Sequence, residues 1–195
     1  GQVEGIIISL SRETMNLDHL TRLQRRGIPL VFFDRDSDEI VASKVMVDNE
    51  QSAYEAVKHL LESGCKRIAF LAGPKSVSVS NQRRLGYLRA LSEAGIEEDP
   101  ALIIHSDYFQ DTATQQTHDL MQLTNKPDGI LVVSDRLALG VLVALRELKI
   151  SVPEQMKIVS FNNEPICSVV SPTISSVAQP LEEIGRLAIE LLIDQ

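Results

Sequence analysis

Tryptophan is absent from this 195-residue chain, and Phe, Trp and Tyr together make up only 4% of it. Cysteine is almost as scarce. Cys65 and Cys167 lie far apart, a pattern that suits reduced thiols in a cytoplasmic protein, although one pair leaves a disulfide open. No apolar run is long enough to span a bilayer and no signal peptide is recognisable, so no membrane partner is expected. Positive charge is also in short supply: 19 Lys and Arg against 27 Asp and Glu give a net charge of −8 and a pI near 5.0. Phosphate contacts need clustered cations, and Arg25-Arg26 and Arg83-Arg84 are only doublets. The chain by itself is therefore a poor nucleic-acid binder.

Catalytic templates are missing too. Gly73-Pro74-Lys75 lacks the second glycine and the Lys-Ser/Thr ending of a phosphate loop, and no Gly-x-Ser-x-Gly elbow occurs. The histidines at 19, 59, 105 and 118 are scattered, and metal-ligand spacing is absent. Asp34 with Asp135 could be pictured as an acid–base pair, but nothing fixes their separation, and a binding role is the better reading. The expectation is a non-enzyme with no cofactor.

What is present is a hydrophobic content of 44% with 24% charged residues, enough for a substantial core. The run from Lys66 to Ile96 holds the organising unit. Ile68-Ala69-Phe70-Leu71-Ala72 reads as a strand buried on both faces, stopped by Gly73-Pro74. From about Asn81 to Glu93 the spacing predicts a helix with Leu85, Leu88 and Leu91 along one stripe, joined by Tyr87 and Ala94, and Gly95 ends it. Arg83 lies near the helix start, where it would face a ligand bound outside the strand ends.

Further predicted strands begin at Gly5, Ile28, Val45, Leu102, Ile130, Ile158 and Ile174, alternating with helical patterns. Asn16 and Asn49 are predicted N-caps. This alternation implies βαβ units and a mainly parallel sheet. Asp34, Arg83, Asp107, Asp135, Asn162 and Gln179 each follow an apolar strand and would converge on one edge. Strand ends are where caps and loop residues occur in any case, so only their convergence favours binding. Asp, Asn and Arg supply the fixed hydrogen bonds that orient vicinal hydroxyls or the edge of a heterocycle.

The runs GIPLVFFDR (27–35), VDNEQSAYEAVKHLLESGCKRIAFLAGP (47–74), RRLGYLRALSEAGI (83–96), PDGILVVSDRLALGVLVAL (127–145), VPEQMKIVSFNNEP (152–165) and SPTISSVAQPLEEIG (171–185) resemble, in order and spacing, the LacI/GalR family of bacterial transcriptional regulators. The likeness is to the effector-binding core, which is itself similar to periplasmic sugar-binding proteins. It implies an α/β fold of two doubly wound parallel-sheet lobes with a small-molecule effector, a sugar or a related metabolite, held between them. The N-terminal lobe would comprise 1–47 and 180–195, incomplete in this chain, and the C-terminal lobe 48–179. Arg83 and Asn162 match positions that hold the effector, and Asp34, Ser134, Asp135 and Gln179 match further pocket positions. Where this chain has Asn162 the family often has Asp, which leaves the effector class open. With no tryptophan, a stacking platform would fall to Phe161 or Tyr108.

Leu139 and Leu142, with Ile166 to Val170, match surfaces through which family members form homodimers. The alternative for these side chains, Leu142 above all, is core packing. The resemblance further implies a helix-turn-helix domain that binds operator DNA, a hinge and a first βαβ portion upstream, and a final strand and helix downstream. A solute-binding protein of a sugar transporter shares the fold and is the alternative.

Overall fold

The computed structural model describes residues 3–11, 14 and 16–195. In chain order the elements are β1 (Ile6–Ile8), α1 (Asp18–Arg25), β2 (Leu30–Phe33), β3 (Ser43–Val45) and α2 (Asn49–Glu62). Then come β4 (Ile68–Ala72), α3 (Ser78–Glu93), a 3-10 turn at Pro100–Leu102, β5 (Ile103–His105) and α4 (Gln110–Leu120). The chain continues through β6 (Gly129–Val132), α5 (Asp135–Glu147), β7 (Lys157–Asn162), α6 (Ile166–Val169), β8 (Ser175–Ala178) and α7 (Leu181–Ile193). Two compact units result, one of residues 1–47 and 180–195, the other of residues 48–179.

The first unit is a three-stranded parallel sheet in the order β1-β2-β3, with Ile7 opposite Val31 and Val31 opposite Ser43. Its central strand, LVFF, serves both faces, as alternating side chains must. Leu30 and Phe32 pack with Leu20 and Ile40, while Val31 packs with Val45 and Ala188 of α7.

The second unit is a five-stranded, wholly parallel sheet in the order β5-β4-β6-β7-β8. From β4 the chain steps outward to β5, then returns past β4 to reach β6. Right-handed crossovers taken in opposite directions put their helices on opposite faces, so α3 covers one face and α4 and α5 the other. Accordingly α2 pairs with α3, and α4 pairs with α5. Both pairs approach through glycine. A Cβ on Gly86 would fall 2.0 Å from the Glu50 carbonyl oxygen, and one on Gly140 would fall 2.4 Å from that of Gln110. A single core runs through this unit, with β4 and β6 buried at every position. Phe70 and Tyr87 stack within it, centroids 5.4 Å apart, and the Tyr87 hydroxyl donates to the Ile68 carbonyl at 2.8 Å.

Two local expectations are corrected. The stripe Leu85-Leu88-Leu91 is not the inner face of α3: Leu85 is 48% exposed, whereas Val79, Arg83, Gly86, Tyr87, Ala90 and Leu91 are buried. Steps of three residues drift around a helix of 3.6 per turn, and the buried set follows the alternating four-and-three spacing instead. The cap of α2 is Asp48, whose carboxylate accepts from the Gln51 N–H at 2.8 Å, and not Asn49. Asn49 is the first residue of the helix, and its side chain is directed elsewhere.

Candidate functional site

In an open parallel sheet the carboxyl ends of two adjacent strands whose following helices go to opposite faces leave a crevice between them. Here those strands are β4 and β6. The structure brings the chemistry of three sequence segments to this place. Arg83, one turn into α3 after β4, is only 4% exposed. Its Nε donates to Asn49 Oδ1 at 3.0 Å and its Nη1 to the Val133 carbonyl at 2.6 Å. The guanidinium carbon stands 3.8 Å from the centroid of the Phe161 ring at the carboxyl end of β7. A planar cation lying on an aromatic face within this distance is electrostatically favourable, and desolvation strengthens it. Phe161 is fully buried, so it serves as the floor under Arg83 and part of the core rather than as an open stacking surface.

Ser134 follows Val133 directly. It is 8% exposed, and its hydroxyl has no hydrogen-bond partner among the described residues. An unmade hydrogen bond on a buried hydroxyl is costly, which marks a position at which a ligand group is gained cheaply. Asn162 is the last residue of β7, directly after Phe161. It and Asn163 hold left-handed backbone, φ +107° and +52°, at the point where β7 turns away. Asn tolerates this region better than most side chains because its short amide bonds locally. Tyr108, also at positive φ (+69°), lies over Gly73 at the end of β4, where a Cβ would stand 2.3 Å from its Oη.

Asp135 has a different place from its neighbours. It is completely buried and its carboxylate is occupied from within the protein. Oδ1 accepts from the hydroxyls of Ser160 and Ser176, the latter at 2.7 Å, and Oδ2 accepts from the Glu164 N–H at 2.7 Å. The Ser176 hydroxyl oxygen in turn accepts from the Asn163 N–H at 2.9 Å. One carboxylate thus ties the start of α5 to β7, to β8 and to the loop carrying Asn162. Cys167 sits beside this network. Burial pushes its thiol up to about 11, and the Asp135 charge acts in the same direction. Both cysteines are free and buried.

Other strand-end residues are placed less tightly. Asp34, at the end of β2, is exposed, adopts φ +59° and stands 3.5 Å from Arg35 Nε. Gln179 is half-buried just past β8. Asp107 accepts from the Phe109 N–H and the Thr112 hydroxyl, both at 3.0 Å, which makes it a local brace at the start of α4. Of the four apolar residues expected at a dimer surface, Leu142 lies within the core at 8% exposure, and Leu139, Ile166 and Val170 are half-buried against it. The large exposed apolar side chain in that region is Val169, at 72%.

Sequence reasoning missed Asn49, Ser160 and Ser176. Serines within apolar strand patterns were the available signal, since an inward hydroxyl needs a partner. For Asn49, its cap-like position pointed to the wrong role. Among the described residues no group of His, Cys, Asp and Glu could hold a metal ion, and no helix is long and apolar enough to cross a membrane.

The family model of the periplasmic binding protein-like domain matches residues 57–195. Catabolite control protein A of Priestia megaterium is 32% identical over 98% of the chain and 57% of its own length. The HTH-type transcriptional repressor CytR of Escherichia coli is 33% identical over 100% of the chain and 56% of its own length. The chain therefore spans a little over half of these curated relatives. A solved regulatory protein of the LacI family from Chloroflexus aggregans superimposes with a TM-score of 0.89 at 30% identity, covering 98% of this chain and 68% of that one.

Proposed function

Because the chain belongs to the LacI family of regulators and carries its periplasmic binding protein-like domain, we propose that it is the effector-sensing core of a transcriptional regulator. It binds a small molecule, a sugar or a related metabolite, and transmits that state to operator DNA through a helix-turn-helix domain elsewhere in the whole protein. The setting is cytoplasmic, and the activity is binding without turnover. The observation that carries this reading is Arg83: a buried guanidinium held by Asn49 and the Val133 carbonyl and backed by Phe161, where β4 and β6 diverge. Arg83, Ser134 and Asn162 are the proposed contacts in the second unit. Asp34 and Gln179 are those at the ends of β2 and β8. Asp135 acts through its neighbours by fixing the Asn162 loop. The names of the curated relatives, a control protein and a repressor, favour the regulator over a solute-binding protein of a transporter.

A thermal-shift screen of sugars, sugar phosphates and nucleosides identifies the effector, since a ligand at a hundredfold its dissociation constant stabilises by about 2.7 kcal/mol. Asn162→Gly then separates binding from folding. Glycine suits φ +107°, so ligand-free stability holds or rises by up to about 1 kcal/mol, while the lost amide weakens the effector roughly tenfold by calorimetry. Unchanged affinity would remove Asn162 from the site.

Whole-protein assembly is proposed to be a homodimer through α5 and α6, with Leu139, Ile166 and Val170 at the surface and Leu142 behind them. Leu139→Glu should shift sedimentation to the monomer, and so should Val169→Glu, which alters a side chain outside the core. A dimer that withstands both substitutions would move the interface elsewhere.

A further inference from the structure

The second unit has another polar concavity, on the outer side of α3 beside the edge strand β5. It measures about 400 Å³, within the range of small-molecule sites. Lys75 from the β4–α3 loop, Arg84 and Asn81 from α3, and His105 from the end of β5 line it, above an apolar wall that includes Ile103. Three basic side chains from three elements thus meet in one hollow of a chain whose net charge is −8. Among the described residues neither Lys75 nor Arg84 enters an ion pair, although Glu98 lines the same hollow. The Asn81 amide donates to the Lys75 carbonyl at 2.8 Å, which fixes the loop carrying that lysine. His105 Nδ1 lies 2.9 Å from the Gly73 carbonyl oxygen, and because a carbonyl only accepts, Nδ1 carries the proton and the ring is held in orientation.

We infer that this hollow binds the phosphate group of a small phosphorylated metabolite. Lys75 and Arg84 carry like charges that repel one another, the single carboxylate of Glu98 makes no ion pair with either, and an anion that bridges them relieves this repulsion. Guanidinium and ammonium groups are the usual phosphate partners, the first by paired hydrogen bonds and the second as a point charge. The apolar wall leaves room for a compact carbon body beside the phosphate. The site is separate from the strand-end group. Arg84 and Arg83 are consecutive on α3, and their side chains take part in different surroundings, the first in this hollow and the second over Phe161.

The test is a titration of inorganic phosphate, glycerol 3-phosphate and glycerol into the protein at constant ionic strength, followed by NMR at the His105 ring and the Asn81 side-chain amide. Both phosphates should give saturable shifts, with glycerol 3-phosphate the tighter if the apolar wall is used, and glycerol none. Lys75→Ala, at an exposed position, and Arg84→Gln should each weaken binding about tenfold, while Glu98→Gln should tighten it. Equal affinity for the two phosphates would assign the site to the free ion. Shifts that never saturate, or saturation indifferent to all three substitutions, would overturn the proposal. So would loss of binding in Asn162→Gly, which would place the phosphate at the strand ends instead.

Discussion

The two units solve one problem, the polar residue at the end of an apolar strand, in opposite ways. In the unit built on β2, Asp34 is exposed at the strand end, and the carboxylates that follow it are met by a single lysine. Lys44 Nζ lies 2.5 Å from Asp36 and 3.0 Å from Asp38. Together they hold the Lys44 ammonium above its usual range through these hydrogen bonds. Such pairs are screened by water and hold little free energy. In the unit built on β4 to β8, Arg83 and Asp135 are buried, and their partners come from backbone, from Asn49 on α2 and from neighbouring strands, while the Ser134 hydroxyl is buried with no partner among the described residues. There each hydrogen bond replaces water that cannot return, so a missing partner is costly. The five-stranded sheet, covered on both faces, makes this burial possible. Three strands with two small apolar clusters give Asp34 no such cover.

The largest effect expected from this difference is at Phe161. Truncation to alanine removes a fully buried ring and the support of Arg83, and should cost about 3–5 kcal/mol in urea unfolding followed by circular dichroism. A loss below about 1 kcal/mol would mean that the second unit's core does not reach its strand ends. Asp135→Asn comes next. An amide retains the shape but presents N–H groups where hydroxyls and an N–H now donate, and the expected loss is about 1–3 kcal/mol. The smallest belongs to Asp34→Asn, which preserves tolerance of φ +59° while removing the charge. It should alter stability by less than about 0.5 kcal/mol. If the Asp34 and Asp135 substitutions cost the same, the contrast between solvated and buried strand ends is wrong.

Much of the fold was legible because its signals are local. Ile68 to Ala72 reads as a strand buried on both faces, and Gly27, Gly64 and Gly95, at φ +75°, +94° and +69°, end helices where the apolar period stops. That Arg83, Asp135 and Asn162 would come to one edge was legible from topology, since parallel strands deliver their carboxyl ends together, whereas Ser134 was pointed to only by the family resemblance. What was not legible depends on which atoms meet across long sequence separations. Nothing near Asp135 in the chain announces that hydroxyls at 160 and 176 will reach it, and a strand-end carboxylate reads the same whether it faces a ligand or its own protein. For Arg83 the expectation of a side chain facing outward to a ligand omitted Asn49 and Val133, which make it a structural member as well. The inner stripe of α3 was misjudged because leucine weighs more than glycine in an apolar pattern, whereas close helix approach requires the reverse.

That last point bears on how the guanidinium of Arg83 comes to rest where it does. Gly86, three residues further along the same helix, touches the backbone of α2 at Glu50, where even a methyl group would collide with the carbonyl oxygen. Asn49, which orients Arg83, is the residue just before Glu50. The helix spacing and the arginine's aim are therefore set together, by an atom that is missing. A methyl at position 86 would push α3 away from α2 and part Arg83 from Asn49 without touching either side chain. The shortest residue on the helix calibrates the reach of one of its longest.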